Sequence, residues 1–114
     1  MRESVIEKHL VKRVKELGGE VRKVQWIGRR GAPDRLVMLP GVPARQSSLT
    51  PTANGRVVLQ SFRMAKPALS IWVELKATGV RPETHQLREH ERMRAMGQHV
   101  VVIDSIEGVE ELLS

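Results

Sequence analysis

Residues 71 to 104 constrain the fold more than any other part of this chain. "IWVELKA" reads as a strand, "RPETHQLREHERMRAMG" as a helix and "HVVVID" as a second strand. Two strands joined through a helix are the unit that connects parallel neighbours in one sheet. Pro82 or Thr84 lies at the start of that helix, and Leu87, Met93 and Met96 form much of its apolar stripe. Gly97 closes it. "HVVVID" is almost continuously apolar, the pattern of a strand buried on both faces.

The first half of the chain supplies the remaining layers. "ESVIEKHLVKRVKEL" places Val5, Ile6, Leu10, Val11, Val14 and Leu17 at helical spacing, and Gly18 and Gly19 end the helix. "EVRKVQWI" then alternates as a strand through Trp26, and "DRLVMLP" is a further strand ended by Pro40. Residues 41 to 70 have loop composition, with a hairpin turn signal at Asn54-Gly55 and a candidate strand in "RVVLQSF". This segment is expected to be an excursion between two paired strands, and to contribute to self-assembly. "SIEGVEELLS" is a final helix capped by Ser105. The expected architecture is a single α/β domain over residues 1–114, with a mixed sheet flanked by helices in the order αβββαβα.

Composition narrows the function classes. The chain has 114 residues with no cysteine, which excludes disulfides, thiolate zinc sites and a thiol nucleophile. Its N-terminus lacks the apolar run of a signal peptide, so a cytoplasmic setting without a membrane span is expected. A net charge of +6 favours a polyanion partner, although solubility alone also explains basic charge. Only Trp26, Phe62 and Trp72 are aromatic, too few for base-stacking platforms. A duplex or junction held by its backbone fits better than a single strand.

The chemistry concentrates in "WVELK". Side chains alternate along a strand, so Trp72, Glu74 and Lys76 share one face and Ile71, Val73 and Leu75 the other. If this strand pairs with the one opened by Asp34, the two carboxylates meet at one end of the sheet. They then offer hard oxygen ligands to an ion such as Mg²⁺ or Mn²⁺. Lys76 would point into the same pocket, able to orient or help deprotonate a water. Glu7, beside the apolar stripe of the first helix, is a candidate third carboxylate. A Glu-x-Lys pair on a strand is by itself most often a solvated charge pair. It is the joint pattern with Asp34, Glu7 and the basic surface that points to a site.

Other groups carry less. Arg29, Arg30 and Arg35 bracket Asp34 and suit either phosphate contact or a solvated loop. Arg81 and His85, at the head of the second long helix, are further candidates for DNA contact. His9, His85, His90 and His99 lack zinc spacing and are expected at the surface or near phosphate. Ser4, Ser47 and Ser48 have no histidine–acid context for a nucleophile.

Three segments together, "IEKHLVKRVKELGG", "GRRGAPDRLVMLP" and "WVELKATGVRPETHQLREHERMRAMGQHVVVIDS", resemble the virus-type replication-repair nuclease (VRR-NUC) domain. This is a branch of the PD-(D/E)xK superfamily. The resemblance covers nearly the whole chain except residues 41 to 70. It implies a restriction-endonuclease-like fold and a metal-dependent DNA endonuclease selective for structures such as Holliday junctions. Asp34 and Glu74 would bind the metal with the carbonyl oxygen of Leu75, and Glu7 would complete the site directly or through water. Lys76 would position the attacking water and Gln86 would support the site. Stand-alone members occur in phages and prophages and pair as homodimers, which places this chain in a bacterial cytoplasm. The competing readings are a non-catalytic nucleic-acid-binding module of the same fold and a basic assembly protein.

Overall fold

The computed structural model describes residues 1–46, 49–59 and 62–114. Ser47, Ser48, and Gln60 and Ser61 of the strand expected over 56–62 lie outside the described residues. Helix α1 (Glu3–Glu16) turns Ile6, Leu10 and Val14 inward at four-residue spacing, each fully buried. Val5, Val11 and Leu17, expected on the same stripe, stay largely exposed, because the buried seam is narrower than the apolar pattern. The two glycines that follow have different reasons. Gly18 adopts a left-handed φ of 81°, while a Cβ on Gly19 would lie 2.3 Å from the Met38 carbonyl oxygen. The first turns the chain out of the helix, and the second lets it pass close against its neighbour strand.

That neighbour belongs to the central sheet, built from β1 (Glu20–Lys23), β2 (Arg35–Leu39), β7 (Leu69–Leu75) and β8 (His99–Ile103) in the order β1-β2-β7-β8. β1, β2 and β7 are antiparallel, and α2 (Thr84–Ala95) carries the chain across to β8, which runs parallel to β7. α3 (Ile106–Leu113) follows, capped by Ser105, whose hydroxyl accepts from the Gly108 N–H at 2.9 Å. The mixed sheet with its helices thus has the expected order, α β β β α β α among its main elements.

Two strand expectations need correction. The strand expected to reach Trp26 stops at Lys23, after which only the Val24 N–H continues the ladder, donating to the Asp34 carbonyl at 2.8 Å. Ile27 is 94% exposed, so the alternation breaks where the chain leaves the sheet. β8 is covered on both faces only in part. It forms an edge of the sheet, with Val100 and Ile103 buried on opposite faces and Val102 exposed.

One face of the sheet meets α1 and α3. Ile6, Leu10 and Val14 pack there with Val37, Ile71, Val73, Leu75, Ile103 and Val109 as one core. Helix α2 contributes instead His90, Glu89 and Met93 to the face that carries Glu74. The excursion after β2 forms two short antiparallel ribbons. β3 (Arg45–Gln46) pairs with β6 (Phe62–Arg63), and β4 (Leu49–Pro51) pairs with β5 (Val57–Leu59). The expected turn closes the second, with Gly55 at φ 82° and the Gly55 N–H donating to the Thr52 carbonyl at 3.0 Å. No helix among the described residues is long and apolar enough to cross a membrane.

Candidate active site

The antiparallel pairing of β2 with β7 sets Arg35 opposite Val73, so Asp34 enters the sheet beside Glu74. Pro33, fully buried, anchors the approach, and its carbonyl accepts from the Trp26 indole N–H at 2.8 Å. Trp26 in turn packs against Trp72 with ring centroids 5.2 Å apart and planes tilted by 48°. Trp72 is therefore part of a packed wall rather than a free wedge. Asp34, half exposed, opens with Lys23, Val24, Gln25 and Trp26 into a cleft of about 540 Å³.

Glu74 is the unusual group. It is only 9% exposed, on the face of β7 that α2 covers. Burial, reinforced by the negative charges of Asp34 and Glu3, pushes its carboxyl up to about 7, although the Lys76 and Arg35 cations pull the other way. Two carboxylates of which one resists ionisation beside the other form a set that a hard divalent cation would satisfy. Asp34 and Glu74 would offer carboxylate oxygens to such an ion, and the family resemblance adds the Leu75 carbonyl. The residues fit such an ion, although among the described residues no three acidic or histidine side chains gather closely enough to hold one by themselves.

Glu7 stands on the other side of this junction. Its carboxylate accepts from Arg35, from Nε at 3.3 Å and from Nη2 at 3.0 Å. The Arg35 guanidinium also lies 2.8 Å from Asp34 Oδ1 and is itself 8% exposed. The arginine expected to meet phosphate thus ties α1 to the start of β2. Arg29 reaches the buried Glu89 at 3.5 Å, which Arg92 also contacts at 2.8 Å. Arg30 and Arg81 are exposed, and His85 lies 3.3 Å from Glu83. Gln86 caps its own helix, its side-chain oxygen accepting from the Glu83 N–H at 2.8 Å. Lys76 is half-buried, and its backbone N–H donates to the Ile103 carbonyl at 3.0 Å.

His90 requires a correction. Expected at the surface or near phosphate, it is wholly buried, with Nε2 at 3.5 Å from Glu74 Oε1. Neither ring nitrogen has a hydrogen-bond partner among the described residues, and burial, with the nearby Arg94 and Lys76 cations, lowers its pKa. The spacing Gln86, His90, Met93 could have shown it, since those positions lie along one helical face.

No family model matches the chain. It is 42% identical over 105 residues to "Putative nuclease p44" of Acyrthosiphon pisum secondary endosymbiont phage 1, across 92% of this chain and 85% of that protein. A solved structure described as a VRR_NUC domain superposes with a TM-score of 0.66 at 35% identity, covering 97% of this chain and 92% of the other.

Proposed function

From a chain that belongs to the VRR_NUC family of nucleases, we propose a more specific activity: divalent-ion-dependent endonucleolytic hydrolysis of DNA, with branched duplexes such as four-way junctions preferred. The observation that supports it is the convergence of Asp34 and the buried, reluctantly ionised Glu74 at one end of the β2–β7 pair, with the Lys76 cation near enough to act on the Glu74 carboxyl.

Asp34, Glu74 and the Leu75 carbonyl would hold Mg²⁺ or Mn²⁺, which when bound supplies Lewis acidity at the scissile phosphate. The protein groups have separate tasks. Lys76 presents an ammonium that orients the attacking water and holds its lone pair toward phosphorus. Arg35 keeps Glu7 and Asp34 in place from the core side of the strand. The packed Trp26–Trp72 pair forms a rigid wall for the cleft. Arg30 and Arg81 are exposed cations suited to flanking phosphates.

A two-fold homodimer belongs to the same proposal, because two strands of a junction are cut symmetrically only by two active sites. The exposed Val5, Val11 and Leu17 of α1 supply apolar surface for such pairing. The setting proposed is the cytoplasm of a bacterial cell that carries a phage or prophage.

Cleavage of duplex, flap and four-way junction substrates with Mg²⁺ and with Mn²⁺ tests the activity. Asp34→Ala and Glu74→Ala are expected to abolish cutting while leaving DNA retention largely intact. Wild-type rates in either variant would show the site to be misassigned. Light scattering at micromolar concentration tests the assembly, and a monomeric mass would remove the dimer from the proposal.

A further inference from the structure

Between Asp34 and Glu74 the chain contains no acidic residue, while the excursion between β2 and β7 carries Arg45, Arg56, Arg63 and Lys66. Arg45, Arg56 and Lys66 are exposed, and none of the three has an ion-pair partner among the described residues. Elsewhere in the chain carboxylates are interspersed with the cations. Arg13, Arg22, Arg29, Arg35, Arg92 and Arg94 each meet one, although among the described residues Arg2, Arg30, Arg81 and Arg88 do not. Charges on a ribbon edge do discourage unwanted strand pairing, but carboxylates serve that purpose as well as cations. A segment with one sign only calls for another cause.

Its place in the fold suggests which. The excursion leaves at Leu39 and returns at Leu69, which are paired partners, whereas Asp34 and Glu74 lie at the opposite end of the same strands. Five residues of strand separate the two ends by about 17 Å. Beyond Leu39 the paired ribbons form an arm. The molecule measures 66 × 32 × 19 Å, with a radius of gyration of 19.0 Å. A compact chain of this length would have about 13 Å. A long axis of 66 Å matches roughly 19 base pairs at about 3.4 Å each. The major groove, about 12 Å wide, admits a two-stranded ribbon.

We propose that this arm is a second nucleic-acid contact, which grips duplex DNA about one helical turn or more from the cleaved phosphate through Arg45, Arg56 and Lys66. The proposal rests on the reading of DNA as substrate. A second copy of the chain is the less suitable occupant, because pairing two arms would crowd cations of one sign.

The test uses the full-length protein without divalent ion, labelled duplexes of about 10 and about 30 base pairs, and a variant carrying R45Q, R56Q and K66Q. Circular dichroism and thermal melting establish that the variant is folded. Wild type is expected to gain affinity on the longer duplex. The variant should match it on the short duplex, lose roughly tenfold or more of that gain, and show a log K versus log salt slope shallower by up to about 2.7. Equal affinities and slopes for both proteins on both duplexes would overturn the arm while leaving the nuclease reading intact. If the wild type retains neither duplex, the arm falls together with the reading of DNA as substrate. A variant that loses assembly mass but keeps its DNA affinity assigns the arm to a second copy and overturns the proposal.

Discussion

The imidazole of His90 and the carboxyl group of Glu74 face each other across 3.5 Å between α2 and the sheet, the histidine wholly buried. A buried ring with neither nitrogen hydrogen-bonded is costly, so this arrangement needs a return elsewhere. A small shift would let Nε2–H donate to Glu74 and fix the direction of its free lone pairs. Groups that orient a metal-binding carboxylate in this way typically matter by about 10–100-fold in ion affinity. His90→Phe keeps the ring volume and removes both nitrogens. Mn²⁺ affinity, followed by calorimetry, is expected to fall within that range while the fold survives. Unchanged affinity would reduce His90 to a space-filling residue.

The buried Glu74 links stability to pH. Its carboxyl titrates near 7 in the folded protein against 4.5 for the free group. The unfolded chain therefore releases this proton first, and the stability that Glu74 contributes below pH 4.5 is lost as pH rises toward 7. The loss amounts to about 3 kcal/mol. His90, with its pKa lowered, acts oppositely, since its contribution is lost as pH falls below the ordinary imidazole range. Comparing wild type with Glu74→Gln isolates the carboxyl. Without divalent ion, the variant should gain on wild type between pH 4.5 and 7 and exceed it at pH 8. Added Mg²⁺ or Mn²⁺ should stabilise only the wild type strongly. Parallel pH profiles in thermal melts would count against the raised carboxyl.

Lys76 offers a kinetic distinction. If its ammonium orients the water, Lys76→Ala lowers single-turnover cleavage by roughly 10²-fold or more. Ion affinity should change far less, because in the proposed site the carboxylates and not the amine would hold the ion. A variant that loses ion binding in proportion to activity would make Lys76 a structural partner of Glu74.

Arg35 joins the helix to the site. Its guanidinium holds both Glu7 and Asp34 from a position that is 8% exposed. Arg35→Ala leaves those carboxylates without their shared cation, though both retain access to water. A loss of about 1–3 kcal/mol in urea unfolding is expected. Arg35→Lys keeps the charge without the planar fork, and should recover only part of that loss. Neutral outcomes in both variants would show that the contacts contribute nothing net.

Local rules sufficed for much of this protein. Two-residue alternation put Ile71, Val73 and Leu75 of β7 on the core face, and four-residue spacing turned Ile6, Leu10 and Val14 of α1 inward. The Asn54-Gly55 turn, the Ser105 cap and the helix between β7 and β8 follow from residues close together in the chain. Burial does not, because it depends on which elements stack across long separations. Only the stacking of α2 on the sheet hides His90 and raises the pKa of Glu74. Only the packing of α1 beside β2 brings Glu7 within reach of Arg35, 28 residues away, and turns an apparent phosphate ligand inward. β8 reads as a doubly buried strand until the sheet order leaves it at an edge. Side-chain direction is a property of the local backbone. What a side chain meets in that direction, and whether water reaches it, is decided by the tertiary structure.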